Sequence, residues 1–214
     1  LFYAQDVSSM LAVEAAGISC GMTVMDLCSA PGGKTTLAAR KTGSGKVICG
    51  DVSERKAALI LENTDRMKCS NVSVNVWDAS VFMEQYKESA DVVLLDVPCS
   101  GLGVHGKPDA RYGKSLAVIQ ELAALQAQLL DCCASCVKPG GVLVYSTCTI
   151  SPPENEACAR AFLARHSEFD AVEFDACLPE PLRKRAAGGM LQLFPHLDDM
   201  EGFFLAKFTR KRAE

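Results

Sequence analysis

Two cysteines stand in short segments whose residue types could do covalent chemistry: Cys99 in DVPCS, from Asp96 to Ser100, and Cys148 in YSTCT, from Tyr145 to Thr149. A thiol is intrinsically strongly nucleophilic and is ionised to a few per cent near neutral pH even when unperturbed. A third segment, DLCSAPGGKTT from Asp26 to Thr36, has the make-up of a ligand loop. Its Pro31-Gly32-Gly33 falls at a strand-to-helix turn, where glycine lets backbone approach a ligand and the helix start offers unpaired amide donors. A phosphate-binding P-loop needs glycine five residues before the Gly-Lys pair, and Cys28 stands there instead. The dinucleotide pattern G-x-G-x-x-G is also absent. An ordinary structural turn explains any one of these glycines but not the whole segment.

These residues need elements to hold them. The apolar run Thr23 to Leu27 precedes the loop, and a helical stretch from Lys34 to Lys41 follows it. KVICGD, Lys46 to Asp51, is a short apolar strand ending in an acid some twenty residues after the loop, where doubly wound nucleoside-binding folds place a ribose acceptor. VSVNVWD, Val72 to Asp78, alternates with period two, and DVVLLD, Asp91 to Asp96, reads as a buried strand. Asp78 alone is better explained as a polar loop residue. Asp51, Asp78 and Asp96 at three successive strand ends favour a site, because ligands of open α/β sheets bind at the carboxyl ends of strands. Strand endings near Cys28, Asp51, Asp78, Asp96 and Thr147 alternate with helical patterns, including Leu116 to Val137, which argues an α/β fold with a mostly parallel sheet covered on both faces. Behind Cys148, Ser151 and Glu154 have capping-box spacing with Pro152 at the first helical position. A helix starting there would bring its positive end near Cys148 and lower the thiol's pKa.

At 214 residues the chain is expected to be one domain over 1–214. No apolar run approaches the roughly 20 residues of a membrane span, and no signal peptide is visible. Eleven cysteines, an odd number in a chain of this size with apolar strands, fit a reducing cytoplasm better than a disulfide scaffold. Cys132, Cys133 and Cys136 lack a second ligand cluster, His105, His166 and His196 are scattered, and no metal is expected. A net charge of −4 is awkward for a nucleic-acid enzyme, an objection softened by the basic clusters Arg183-Lys184-Arg185 and Lys207, Arg210, Lys211, Arg212.

DLCSAPGGKTT, DVPCSGLG, KPDARY and YSTCTISPPENE resemble the motifs of the RsmB-like (Sun family) RNA cytosine-5 methyltransferases, which use S-adenosylmethionine. The similarity runs through nearly the whole chain, from FYAQDVSSML to EGFFLAKF. It implies a Rossmann-like class I S-adenosylmethionine-dependent methyltransferase fold, with a last strand, Gly202 to Phe208, antiparallel in a hairpin with Phe169 to Phe174. It implies a cofactor site made by Cys28, Ser29, Ala30, Pro31, Gly32, Gly33 and Lys34 with Asp51, Asp78 and Asp96. The expected partner is RNA, ribosomal RNA in particular, acted on by a monomer without the separate N-terminal RNA-recruiting domain of RsmB-like proteins.

Carbon 5 of cytosine is too weak a nucleophile to take a methyl group unaided, so a thiolate must first add at carbon 6. A Pro-Cys pair carries that nucleophile in DNA cytosine-5 methyltransferases, which would nominate Cys99. The family resemblance instead implies Cys148, with Cys99 assisting loss of the carbon-5 proton and product release. It also implies Asp96 near ring nitrogen 3, Lys34 reaching the same centre, and the loop Lys107 to Tyr112 holding substrate backbone, although His105-Gly106 stands where a further basic residue is common. The target base must leave any stack to meet Cys148. The alternatives are a non-catalytic RNA-binding or ribosome-assembly factor retaining the fold, and a methyltransferase for small molecules or proteins.

Overall fold

A computed structural model describes residues 2–104 and 114–212. Its centre is an eight-stranded sheet in the order β3-β2-β1-β4-β5-β8-β6, with β7 pairing to β8 off that path. The strands are β1 Thr23–Asp26, β2 Lys46–Asp51, β3 Val72–Val76, β4 Ala90–Asp96, β5 Val137–Thr147, β6 Phe169–Ala171, β7 Met190–Leu193 and β8 Phe203–Arg210. The first five are mutually parallel; β8 lies antiparallel to β5, β6 and β7.

The sequence of β4 shows why both faces are covered. Val93 and Leu95 enter one apolar cluster, while Val92 and Leu94 enter the other. Successive strand side chains point to opposite faces, so an uninterrupted apolar run must be buried on both. Helices α4 (Leu116–Ala134) and α5 (Glu156–Arg165) cover the first face, with Leu130, Cys133 and Phe162 in its core. On the second face lie α1 (Val7–Ala15), α2 (Gly33–Thr42) and α3 (Glu54–Arg66), which bring Leu11, Ala38 and Ile60. Two short helices, α6 (Glu180–Arg183) and α7 (Pro195–Asp198), flank β7.

Strand order reverses at β1: the chain moves outward to β2 and β3, then returns to place β4 on the other side. That switch point opens a crevice at the carboxyl ends of β1 and β4, where doubly wound sheets bind ligands.

Several expectations need correction. The last strand is Phe203–Arg210, and it does not close a simple hairpin with Phe169–Phe174; it is inserted between β5 and β6. Its outer edge is shared, with Phe208–Arg210 pairing to β6 and Phe203–Ala206 pairing to β7. The helix expected behind Cys148 begins at Glu156, and Ser151 and Glu154 form no capping box. Pro152 and Pro153 instead lie in a turn, and the Glu154 side chain points into the protein, where it accepts from Ser100 and Gln126. Finally, α4 reaches the length and mean hydropathy of a candidate membrane span, 19 residues at 1.2, although no such run was expected. It carries Glu121 and Asp131, and Gln126, Leu129, Leu130, Cys133 and Ala134 are buried.

Candidate active site

The loop after β1 is fixed from both sides. Ser29 Oγ donates to the Gly50 carbonyl at 2.9 Å, and Ala30 N–H donates to Asp51 Oδ2 at 3.1 Å, so the end of β2 holds the turn. The Ala30-Pro31 peptide is cis. Gly32 caps α2 at a φ of 102°, a left-handed conformation in which a side chain would be strained. At Gly33 a Cβ would come within 3.0 Å of the Tyr3 ring, so the N-terminal segment packs against the loop's backbone. Asn63 Nδ2 donates to the Pro31 carbonyl at 2.9 Å.

Beside the loop is a cavity of about 550 Å³ at the strand ends. Leu27, Val52, Trp77, Ala79, Leu125 and Leu129 give it apolar walls, while Asp51, Asp78 and Asp96 stand on its polar side. Apolar walls with few convergent polar groups suit a nucleoside. Asp51 is 5% exposed and accepts from Val52 N–H at 2.8 Å and from Lys56 Nζ at 2.9 Å in addition to Ala30. Asp78 is exposed and bound by its own turn, taking Ser80 N–H at 2.9 Å and Ser80 Oγ at 2.6 Å, which lower its pKa. Cys28 lines the same cavity; burial, reinforced by Asp51 and Asp26, pushes its thiol up, so it contributes shape rather than a thiolate.

The strand pair β4 and β5 brings the two cysteines together. Asp96 is in register with Ser146, and Val97 N–H continues the ladder to the Ser146 carbonyl at 3.0 Å. The loops that follow carry Cys99 and Cys148, whose sulfurs lie 3.0 Å apart at the cavity wall. The hydrogen bond with Cys148, followed by burial, raises the pKa of Cys99. Asp96 accepts from Lys34 Nζ at 2.7 Å through Oδ2 and from Ser146 Oγ at 2.6 Å through Oδ1. Lys34, only 9% exposed, also places its ammonium 5.4 Å from the centre of the Phe203 ring. All four candidate catalytic residues thus converge, and Lys34 is a buried partner of Asp96, not a solvated helix residue.

Three features were not legible beforehand. Asp26, ending β1, is fully buried; Oδ2 accepts from Thr35 Oγ1 at 2.6 Å, while Oδ1 has no partner among the described residues. Burial pushes its carboxyl up to about 7, against the opposing pull of the Thr35 hydrogen bond. A second cavity of about 350 Å³, lined by Tyr3, Gln5, Asp6, Ser9, Lys34 and Glu201 among others, adjoins the first through Cys28, Ala30 and Asp96. The basic clusters also do not behave as a charge count suggests. Arg210 binds the Val137 carbonyl and Glu88, and Lys211 binds the Ser167 carbonyl and Asp170, all at the amino edge of the sheet away from the cysteines. Arg185 is bound to Asp198 and the Gln192 carbonyl. The loop His105 to Tyr112, expected to hold substrate backbone, lies outside the described residues.

A doubly wound sheet with a nucleoside-sized cavity at its switch point, an acid at the end of β2 and reactive side chains at the ends of β4 and β5 defines a methyltransferase of Rossmann-like fold. The chain belongs to the 16S rRNA methyltransferase RsmB/F family, whose profile matches residues 18–209. It is 40% identical, over its whole length and 46% of the relative's, to ribosomal RNA small subunit methyltransferase F of Escherichia coli O6:H1. It therefore spans about half the length of the curated relatives it matches. Among solved structures, PH0851 superposes with a TM-score of 0.89 at 37% identity, covering 96% of this chain and 46% of that one. NSun6 from Pyrococcus horikoshii, solved with SFG, superposes at 0.84 with 29% identity, covering 99% and 54%. S-adenosylmethionine is the cofactor that this family and fold assign to the site.

Proposed function

We propose that the chain forms 5-methylcytosine in small-subunit ribosomal RNA through a covalent adduct on Cys148. The observation that carries the reading is the 3.0 Å contact of two thiols from separate strand ends, beside the Lys34–Asp96 pair and on the wall of the cofactor cavity. Methyltransferases that attack an already nucleophilic atom have no use for such a pair.

The cavity residues fit the cofactor: Asp51 suits its ribose hydroxyls, the Trp77 wall its base, and the loop Cys28 to Lys34 its amino-acid end. When bound, S-adenosylmethionine supplies an electrophilic methyl group for carbon 5. The remaining steps belong to the protein. Cys148 thiolate adds to carbon 6, and the electron pair displaced from the carbon 5–carbon 6 double bond makes carbon 5 nucleophilic. The Lys34–Asp96 pair holds the proton that neutralises charge building at ring nitrogen 3. With Cys148 committed to carbon 6, Cys99 gives up its own proton to solvent; after methylation the resulting thiolate removes the carbon-5 proton, and the double bond re-forms as the Cys148 sulfur leaves with its electron pair. Both thiols must stay reduced, which suits a cytoplasmic enzyme.

The test incubates the chain with labelled S-adenosylmethionine and small-subunit ribosomal RNA. Labelled 5-methylcytidine is expected from the parent, none from Cys148→Ala, and an RNA adduct stable to denaturing electrophoresis from Cys99→Ala. Full activity of Cys148→Ala, or rapid turnover without adduct by Cys99→Ala, would refute these roles.

A further inference from the structure

Glu154 has no part in the reaction just described, yet it is fully buried, and among the described residues no cation forms an ion pair with it. Its carboxylate is satisfied by hydrogen bonds alone. Oε1 accepts from Ser100 N–H at 2.8 Å and Gln126 Nε2 at 3.0 Å, and Oε2 accepts from Ser100 Oγ at 2.6 Å. What it does is bind both neighbours of Cys99: Ser100 directly, and Pro98 through Gln126, whose Nε2 also donates to the Pro98 carbonyl at 3.0 Å.

The same carboxylate reaches the other cysteine. Ser100 Oγ and Thr149 Oγ1 are 2.7 Å apart. A serine hydroxyl has one proton. Since Ser100 spends it on Glu154, Thr149 must be the donor to Ser100, and Thr149 in turn accepts from Ser151 N–H at 3.3 Å. The hydrogen bonds therefore run in one direction, from Ser151 to Thr149 to Ser100 to Glu154, and cross from the residue after Cys148 to the residue after Cys99. Tyr145 Oη closes the arrangement by donating to the Glu154 carbonyl at 2.6 Å.

We propose that Glu154 is a positioning residue that locks the Cys99 and Cys148 loops together and sets the separation of their sulfurs. The inference rests on the two-thiol reading above for its functional meaning, but its geometry can be tested without RNA or cofactor. Displacements near 1 Å at reacting groups are enough to cost about a hundredfold in rate, so a shared anchor for both loops is a direct lever on the chemistry.

The experiment exposes the reduced chain to diamide, which takes two electrons and two protons from a pair of thiols to leave one disulfide and a hydrazine. The Cys99–Cys148 linked peptide is followed by mass spectrometry over time. In Glu154→Gln an amide N–H₂ replaces one acceptor and faces the donors of Ser100. Thr149→Val keeps the shape but removes the bridging hydroxyl, and Thr149→Ser restores it. Linkage should slow about tenfold or more in the first two and return to the parent rate in the third. Binding of S-adenosylhomocysteine should be unchanged in all three, because Glu154 and Thr149 do not line the cofactor cavity. Should Glu154→Gln fail to fold, the two Thr149 variants carry the test. An unchanged linkage rate in Thr149→Val, or an equally slow one in Thr149→Ser, overturns the proposal. If Cys99→Ala gives no RNA adduct while the linkage rates behave as described, the methylation reading falls and the positioning role stands.

Discussion

The two edges of the sheet differ in how deeply they bury their polar groups. At the amino edge, Lys138 meets Asp91 at 2.8 Å and Arg210 meets Glu88 at 2.7 Å, with most of these side chains a fifth to two-fifths exposed. At the carboxyl edge the ion pairs Lys34–Asp96 and Lys56–Asp51 occur too, but Asp26, Glu154 and Asn155 are within 1% of complete burial and, among the described residues, are held by hydrogen bonds alone. Exposed ion pairs tolerate misplacement because water takes over any lost partner; buried groups tolerate none. The edge where the chemistry is proposed is the one that buries its polar groups most deeply.

The sharpest way to break this comparison is the pH dependence of stability carried by Asp26. Its folded pKa, about 7, lies above the 3.8 of an ordinary aspartate. The native state therefore holds a proton that the unfolded chain has released. The stabilisation this implies is complete below the unfolded value and is lost as pH rises towards about 7, amounting to on the order of 4 kcal/mol. Asp26→Asn keeps an acceptor for Thr35 and cannot ionise, so urea titrations between about pH 4 and pH 7 should show the parent losing stability relative to the variant as pH rises. A constant difference would mean that the buried acid does not titrate there. Next in size is Asn155→Ala, which removes bonds to Thr147 Oγ1, the Thr149 carbonyl and Gln192 Oε1 at 2.6, 2.9 and 2.7 Å. Unfolding midpoints should register a loss of about 2–3 kcal/mol, since buried partners are left unsatisfied. The smallest effect belongs to the amino edge: Lys138→Ala should change stability by less than about 1 kcal/mol. A loss as large as that of Asn155→Ala would erase the distinction between the edges.

Much of the carboxyl edge was legible because strand ends announce themselves. Asp51 and Asp96 close apolar runs that stop where the strands stop, and the two cysteine segments lie one turn beyond β4 and β5. Val72 to Asp78 was read two residues too long, because Trp77 leaves the strand to donate its indole N–H to the Leu27 carbonyl at 3.0 Å, a tertiary contact that period-two alternation does not encode. β7 was missed: four residues behind a glycine pair carry too little pattern, and its pairing with β8 is what makes it a strand. Glu154 misled for a related reason. Its spacing from Ser151 fits a helix cap, but spacing records only what lies near in the chain, and Ser100 and Gln126 are near only in the fold. The basic clusters failed as a guide because counting charges ignores which of them are already bound.

The wall of the cofactor cavity holds the chain's single tryptophan, with its indole nitrogen anchored on the Leu27 carbonyl just after β1 and its ring edge-to-face with Tyr86 at a centroid separation of 5.6 Å. The molecule thus carries its own optical probe in the cavity wall, where the base of the cofactor is proposed to stack. Emission from Trp77 alone can report occupancy by nucleosides of different size and charge, with no label attached and no second indole to dilute the signal.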